Sequence, residues 1–278
     1  MSSREPLTSG HWLEVFARIG EGVRRAVLPL AGTEAGRAAL TVGAGGDTTI
    51  ELDRAAESVV LGELAGLADR GEKFSVLSEE AGRRNFGADF PLVLVDPVDG
   101  SLNAKQGVPL YGLMLAVLDG PLVSDTRAGV VINLATGEVW TAIRKQGARR
   151  NGEPVTAMRR SLAGRIELLG LESNPRNLKL AQALVERAAK IRILGSMAIS
   201  IALTSAGAFD VFCAPSPVRV FDMAASLLLL SETGGIATTM DGEPIAKLRC
   251  DLDSRSTLLC APTSELHAEA MKILRASR

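Results

Sequence analysis

Apolar residues recur at intervals of three and four positions in two stretches near the start of the chain. The first stretch runs from Trp12 to Leu30 and the second from Leu52 to Leu67, with the glycine-rich segment VGAGGDTT between them. Residues at this spacing lie on one face of an α-helix. The pattern therefore predicts two amphipathic helices joined by a glycine-rich loop.

The pattern changes to that of β-strands after these helices. The segment FSVLS (74–78) and the continuous apolar run FPLVLVD (90–96) are typical of buried strands. Between Leu110 and Val155, further strand-like runs are separated by Asp-Gly, Thr-Gly and Asn-Gly turn signals. We predict an antiparallel meander for this region.

Strands and helices alternate after about residue 160. The predicted strands are 165–169, 191–194, 209–213 and 256–260, and the predicted helices are 177–189, 196–206, 223–232 and 264–275. We therefore predict two closely associated parts. Residues 1–160 contain the antiparallel sheet, and residues 161–278 contain the alternating elements.

Composition and charge narrow the possible partners. The chain has 278 residues, of which 46% are hydrophobic, and a net charge of -1, which gives no general attraction for nucleic acids or anionic membranes. We predict no stretch apolar enough to act as a signal peptide or to span a bilayer, and therefore a soluble, cytoplasmic protein. The three cysteines, Cys213, Cys250 and Cys260, have no metal-binding spacing and are predicted to be buried thiols.

The sequence contains only two histidines that could act in catalysis. The two histidines, His11 and His267, lie near opposite ends of the chain. Nucleophile schemes of the Ser-His or Cys-His type and HExxH zinc sites therefore lack their central residue.

The segment DPVDGSLN follows the buried strand and carries the strongest chemical signal. Asp96 and Asp99 flank Pro97, which stops the strand, so both carboxylates are expected to project at its carboxyl end. Gly100 allows the backbone to approach a ligand closely. Residues 101–106 are predicted to form a short helix whose N–H groups can bind an anion.

Acidic residues lie at the ends of two further predicted elements. Glu79 and Glu80 come after a strand, and Asp222 opens a helix in VRVFDMAAS. Each of these positions alone has the ordinary interpretation of a surface turn or a helix cap. Together they favour a cation site beside a phosphate site, because Mg²⁺ prefers hard oxygen ligands.

Several motifs occur in an order that resembles the inositol monophosphatase family, and in particular its archaeal-type members that also act as fructose-1,6-bisphosphatases. They are GDTTIELDRAAE (46–57), SEE (78–80), DPVDGSLN (96–103), GS (195–196) and VRVFDMAAS with SETGG (218–235). The resemblance covers nearly the whole chain. It implies an α+β fold of layered α-β-α-β-α type, a homodimer, and a phosphatase that acts on a small phosphorylated sugar or polyol through attack by a metal-activated water.

The resemblance also implies the roles of individual residues. It assigns two to three Mg²⁺ ions, replaceable by Mn²⁺, to the side chains of Glu79, Asp96, Asp99 and Asp222 and the backbone carbonyl of Val98. The catalytic residues that it implies are Asp53, Ser101 and Glu79, of which Asp53 and Ser101 orient the attacking water. The substrate-binding residues that it implies are Gly100, Ser101, Gly195 and Ser196.

The position of Arg219, three residues before Asp222, suggests a further substrate contact. Arginine binds phosphate oxygens bidentately, so we predict that Arg219 binds the second phosphate of a bisphosphate. The alternative is an ion pair with a surface acid. Asp53 and Asp222 have the alternative role of helix caps. Glu80 is expected to point away from Glu79, because adjacent residues of an extended segment face opposite sides, and the role of Thr49 is left open.

The preferred substrate is not determined by these motifs. Pro215 stands where animal-type members carry a glutamate that recognises the polyol, which weakens an inositol-selective interpretation. The predicted substrates are fructose 1,6-bisphosphate and inositol 1-phosphate. The alternatives are a phosphatase for 3'-phosphoadenosine phosphate or NADP and a non-catalytic ion-binding regulator. One tyrosine and two tryptophans offer little material for stacking an adenine, which disfavours a nucleotide substrate.

Overall fold

The computed structural model describes residues 7–44, 48–156 and 165–277. Its helices are α1 (Ser9–Val27), α2 (Glu51–Asp69), α3 (Ser101–Gln106), α4 (Gln182–Arg187), α5 (Met197–Ser205), α6 (Ala224–Glu232) and α7 (Ser264–Ala276). Its first nine strands are β1 (Ala39–Val42), β2 (Thr48–Ile50), β3 (Phe74–Ser78), β4 (Gly82–Asp99), β5 (Gly112–Leu118), β6 (Thr126–Asn133), β7 (Val139–Ile143), β8 (Gly147–Arg150) and β9 (Glu153–Pro154). The remaining strands are β10 (Ile166–Leu171), β11 (Ala188–Arg192), β12 (Val211–Arg219), β13 (Ile236–Thr238) and β14 (Arg255–Ala261).

The first large sheet has seven strands in the order β3-β4-β5-β6-β7-β8-β9. From β4 to β9 all neighbours are antiparallel, which confirms the predicted meander. The second half of β4 runs parallel to β3, with Ser75 opposite Leu92 and Ser78 opposite Val95. Parallel neighbours end at the same edge of a sheet, so the residues that follow Ser78 and Val95 lie close together.

Both faces of this sheet are covered. Val93 and Val95 on β4 face a core shared with α1 and α2, whereas Leu92 and Leu94 face a core shared with α5 and α6. This double burial explains why the sequence of β4 shows a continuous apolar run rather than an alternating one. Each fully buried aliphatic side chain of this kind stabilises the fold by about 1.5 to 3 kcal/mol.

The second sheet has five strands in the order β11-β10-β12-β14-β13. Strands β11, β10 and β12 are parallel, whereas β14 is antiparallel to both of its neighbours, β12 and β13. Its inner face packs on α5 and α6, and its outer face packs on α4 and α7. The layers therefore follow the order α1/α2, first sheet, α5/α6, second sheet, α4/α7, which confirms the predicted α-β-α-β-α sandwich.

Some predicted elements differ from the observed ones. The predicted helix 177–189 is a 3₁₀ turn, Leu178–Ala181, followed by the short helix α4, and the chain then enters β11 at Ala188. The apolar residues Leu178 and Leu180 of this turn are 41% and 53% exposed, so it presents them to solvent and not to the core. The short strands β1, β2 and β13 carry too few residues to show a periodic pattern and were not predicted.

The division into residues 1–160 and 161–278 stays a prediction, and its boundary lies outside the described residues. Met114 from the first part and Phe221 from the second share the core between the two sheets. The cysteines are buried thiols, as predicted. Among the described helices, none is long and apolar enough to cross a membrane.

Candidate active site

The parallel ends of β3 and β4 bring two predicted ligands together. The N–H of Glu79 donates to the carbonyl of Val95 at 3.2 Å, so Glu79 lies beside the end of the apolar run that leads to Asp96. Asp96 turns its carboxylate back onto its own loop, where its Oδ1 accepts from the N–H of Val98 at 3.0 Å. The pairing of β4 with β5 is irregular between Asp96 and Asp99. This irregularity allows both aspartates of the motif to leave the regular alternation of the sheet.

Gly100 follows in a backbone conformation that few other residues adopt. Its φ is 87°, and an added Cβ would lie 2.6 Å from the carbonyl oxygen of Gly195. Only glycine fits this close approach between two loops. Helix α3 starts at the next residue, Ser101, as predicted. Binding of phosphate by the backbone of Gly100 and Ser101 stays a prediction.

Asp99 is held by the N-terminus of α5. Its carboxylate accepts hydrogen bonds from the hydroxyl of Ser196 and from the N–H groups of Met197 (3.1 Å) and Ala198 (2.7 Å). Burial raises the pKa of Asp99 to about 7, and the hydrogen bond from Ser196 offsets part of this rise. These three donors fix the carboxylate at the edge of the cavity.

Asp222 lies in the 3₁₀ turn Val220–Asp222 between β12 and α6. Its Oδ2 accepts from the N–H of Arg219 at 3.3 Å. The predicted alternative of an N-cap for α6 is therefore wrong, since Met223 holds the cap position and Asp222 closes the preceding turn. The other oxygen, Oδ1, is buried and has no hydrogen-bond partner among the described residues. A buried carboxylate oxygen without a donor has no partner for its charge, and a bound cation would supply one.

Glu79, Asp96 and Asp222 converge at the centre of the site. Each contributes a carboxylate oxygen, and these atoms lie within 4.8 Å of one another. Burial raises the pKa of Asp96 well above its usual range, and the negative charges of Glu79, Asp99 and Asp222 raise it further. The cluster brings three hard oxygen donors close together, which suits a divalent cation such as Mg²⁺.

Arg219 supplies a positive charge next to this cluster. Its guanidinium forms an ion pair with Glu79, and its Nε lies 3.5 Å from Oδ2 of Asp222. The guanidinium also lies 5.2 Å from the ring centre of Phe221. The side chain is 17% exposed and lines the cavity, so the predicted alternative of a surface ion pair is replaced by a pair inside the site. Binding of a second phosphate by Arg219 stays a prediction.

Asp53 approaches the cavity from α2. Its Oδ2 accepts from the N–H of Ile50 at 3.2 Å, so it closes the first turn of the helix and faces the cavity at the same time. Burial raises the pKa of Asp53 to about 7, the bond from Ile50 lowers it, and the charges of Glu80 and Glu57 raise it. A carboxylate with this pKa can exchange a proton near neutral pH.

The cavity has a volume of about 140 Å³. The residues that line it are Thr48, Asp53, Glu79, Glu80, Asp96, Pro97, Val98, Asp99, Gly100, Ser101, Arg219 and Asp222. Gly195 and Ser196 are not among them, since they lie behind Gly100 and Asp99. Glu80 was expected to point away, but it lines the cavity and accepts a hydrogen bond from Thr49. The reason is that residues 79–81 form a turn, where the alternation of an extended strand does not apply.

Three side chains outside the cavity hold its loops and had no role predicted from the sequence. Asn103 donates to the carbonyl oxygens of Leu110 (2.7 Å) and Leu194 (2.6 Å). Glu172 accepts from the N–H groups of Leu194 (3.0 Å) and Gly195 (2.6 Å). The third side chain, Glu57, contacts the turn after β3. Asn103 lies within DPVDGSLN and Glu57 within GDTTIELDRAAE. Membership of these motifs is the only feature of the sequence that pointed to them.

Comparison with known proteins gives matches over nearly the whole chain. The inositol monophosphatase family matches residues 12–278. A fructose-1,6-bisphosphatase/inositol-1-monophosphatase of Methanothermobacter thermautotrophicus is 33% identical over 275 residues, which are 95% of this chain and 96% of that protein. A bifunctional NADP phosphatase/NAD kinase of Methanococcus maripaludis is 27% identical over 269 residues, which are 90% of this chain and 47% of that protein.

The fold is also similar to that of a solved structure. A Pyrococcus horikoshii protein with similarities to inositol-1 monophosphatase superposes with a TM-score of 0.82 at 21% identity, and the match covers 95% of this chain and 98% of that one. The layered fold, the acidic cavity and these matches define a phosphatase. The chain belongs to the inositol monophosphatase family, which is metal-dependent.

Proposed function

We propose that this phosphatase hydrolyses fructose 1,6-bisphosphate and inositol 1-phosphate with Mg²⁺ as its cofactor and Mn²⁺ as a substitute. The convergence of Glu79, Asp96 and Asp222 within 4.8 Å, with the Oδ1 atom of Asp222 buried and without a partner among the described residues, is the observation that carries the proposal. Asp99 and the backbone carbonyl of Val98 complete the proposed ligand set. Mg²⁺ held there would polarise the phosphate group and acidify a nearby water.

Asp53 is the proposed acceptor for the proton of the attacking water. Its Oδ2 is fixed by the N–H of Ile50, so the carboxylate has a defined orientation toward the cavity. The hydroxyl of Ser101, at the start of α3, is proposed to share in orienting this water. As the new bond from the water oxygen to phosphorus forms, the ester bond to the leaving oxygen breaks, and the proton that Asp53 has accepted is available to that oxygen, so the proposed step needs no histidine.

The phosphate group is proposed to lie against the backbone N–H groups of Gly100 and Ser101. Gly195 and Ser196 would contribute through their contacts with Gly100 and Asp99 rather than by lining the cavity. Arg219 would bind the second phosphate of a bisphosphate. Its position in the cavity, next to two of the proposed metal ligands, supports this role.

The choice of a sugar or polyol phosphate over a nucleotide rests on two observations. The relative from Methanothermobacter thermautotrophicus has a name that states both activities. The single tyrosine, Tyr111, and both tryptophans, Trp12 and Trp140, are at most 3% exposed, so they cannot stack on an adenine. The second candidate, an NADP phosphatase, is supported by the relative from Methanococcus maripaludis.

A panel of substrates tests the proposal. The purified protein is incubated with fructose 1,6-bisphosphate, inositol 1-phosphate, 3'-phosphoadenosine phosphate and NADP, with Mg²⁺ or with EDTA, and released phosphate is measured. We expect the highest kcat/KM for the first two substrates and no release in EDTA. A higher kcat/KM for NADP would favour the second candidate, and full activity in EDTA would contradict the proposal. We further propose that the protein is a cytoplasmic homodimer. Sedimentation of the purified protein would test whether it forms a dimer.

A further inference from the structure

Glu57 lies within the motif GDTTIELDRAAE but does not line the cavity. It is one helical turn after Asp53 on α2, and residues four positions apart lie on the same face of a helix. From this face Asp53 lines the cavity, and Glu57 reaches the turn between β3 and β4. One helix face thus contacts the site at two places.

The contacts of Glu57 flank the pair Glu79–Glu80. Its Oε1 accepts from the hydroxyl of Ser78 at 2.6 Å and from the N–H of Ala81 at 2.7 Å. Ser78 is fully buried, so its hydroxyl has little access to water as a substitute partner. A single carboxylate oxygen therefore holds both ends of the turn that presents Glu79.

Other contacts restrain the same turn from different directions. The N–H of Glu79 donates to Val95 on β4, and the carbonyl of Glu80 accepts from the N–H of Ala44 at 2.9 Å. These bonds connect the turn to the first sheet and to the loop after β1. The bonds to Glu57 connect it to α2, and thereby fix the position of Glu79 relative to Asp53.

We propose that Glu57 is a positioning residue for the cation site, which acts by holding the turn that carries Glu79. The inference rests on the proposed function, because it takes Glu79 as a metal ligand. Groups that orient metal ligands through hydrogen bonds typically contribute about 10- to 100-fold to metal affinity. The role requires a hydrogen-bond acceptor at Oε1 and does not require its charge.

Substitutions at Glu57 separate these two properties. Glu57→Ala removes the acceptor, whereas Glu57→Gln removes the charge and keeps an amide oxygen that can accept both bonds. Glu63→Ala is the matched control, since Glu63 is an exposed glutamate on the same helix. The affinity of each metal-free protein for Mn²⁺ is measured by titration calorimetry, and thermal unfolding in EDTA checks that each variant is folded.

We expect Glu57→Ala to weaken Mn²⁺ binding by about 10-fold or more, and Glu57→Gln and Glu63→Ala to stay close to the unmodified protein. Ser78→Ala removes one of the two donors and should give a smaller loss, with no further loss in the Glu57→Ala background. Ser78→Ala also tests the proposal if Glu57→Ala does not fold.

The inference is wrong if Glu57→Ala or Ser78→Ala binds Mn²⁺ as tightly as the unmodified protein, or if Glu57→Gln loses as much as Glu57→Ala. Additive losses in the Ser78→Ala and Glu57→Ala double variant would also contradict it. Absence of Mn²⁺ binding to the unmodified protein would instead contradict the proposed function. The two failures are therefore distinguishable.

Discussion

The hydroxyl of Ser196 donates a hydrogen bond to Asp99 and, at the same time, Ser196 is the N-cap residue of α5, where its oxygen accepts from the N–H of Ile199 at 3.3 Å. One side chain therefore joins the helix start to the acidic loop after β4. The GS motif at 195–196 thus has a structural reason, because serine supplies both a donor and an acceptor.

Ser196→Ala should destabilise the protein and weaken its metal site. The substitution removes one of three donors to a buried carboxylate and one helix cap, so we expect a loss of about 1 to 3 kcal/mol in the free energy of unfolding. Urea unfolding in EDTA measures this loss. Ser196→Thr keeps the hydroxyl and serves as the control. An unchanged unfolding free energy for Ser196→Ala would show that the bond to Asp99 contributes nothing.

If Asp96 is a metal ligand as proposed, Asp96→Asn should reduce kcat by more than about 100-fold, since a direct ligand matters at least as much as the groups that orient it. The substituted side chain keeps the size of aspartate and can still accept from the N–H of Val98. Steady-state kinetics with Mg²⁺ on inositol 1-phosphate measures the effect. A near-normal kcat would remove Asp96 from the site.

Arg219→Ala should raise the KM for fructose 1,6-bisphosphate by an amount equivalent to about 1.5 to 3 kcal/mol, with little change for inositol 1-phosphate. Because Arg219 also contacts Glu79 and Asp222, its loss is expected to change metal binding, and both KM values must be measured at saturating Mg²⁺. Arg219→Lys keeps the charge but not the planar fork. Equal losses on both substrates would assign Arg219 to the metal site alone.

His267 should make the protein less stable in mild acid. Burial lowers the pKa of His267 below its usual value of 6.5, and its Nε2 lies 2.9 Å from the hydroxyl of Thr238. The unfolded chain therefore binds the proton more tightly than the folded one, so this contribution to stability is present above about pH 6.5 and is lost as pH falls below it.

The comparison with His267→Gln isolates this effect from the carboxylates. The difference in unfolding free energy between the unmodified protein and His267→Gln should decrease as pH is lowered from about 7.5 to about 5. Denaturant unfolding at several pH values measures it. A difference that does not change with pH would show that His267 has the same pKa in the folded and unfolded states.

The layered fold was predictable because its central elements have long patterns and its motifs have a family order. The run ending at Asp96 predicted a buried strand, and the spacing from Leu52 to Leu67 predicted α2. The helix predicted at 177–189 is an α-helix only over α4, and the exposure of Leu178 and Leu180 in the turn before it depends on tertiary packing. No local pattern contains that information.

The convergence of the proposed metal ligands was predictable from the sequence, and the positions of the residues around them were less so. Asp96 and Asp222 lie in motifs, and the structure brings them together with Glu79. The inward position of Glu80 depends on a turn at 79–81, which the strand pattern did not indicate. The bonds of Glu57 to Ser78 and Ala81 join residues more than twenty positions apart, and a single sequence carries no sign of such contacts.

The measurement that bears most directly on the carboxylate cation site is anomalous X-ray scattering from crystals grown with Mn²⁺. We expect anomalous peaks bounded by the carboxylates of Glu79, Asp96 and Asp222, and loss of these peaks in Asp96→Asn crystals. Peaks elsewhere in the molecule, or none in the acidic cavity, would contradict the assignment of a metal-dependent phosphatase site to these residues.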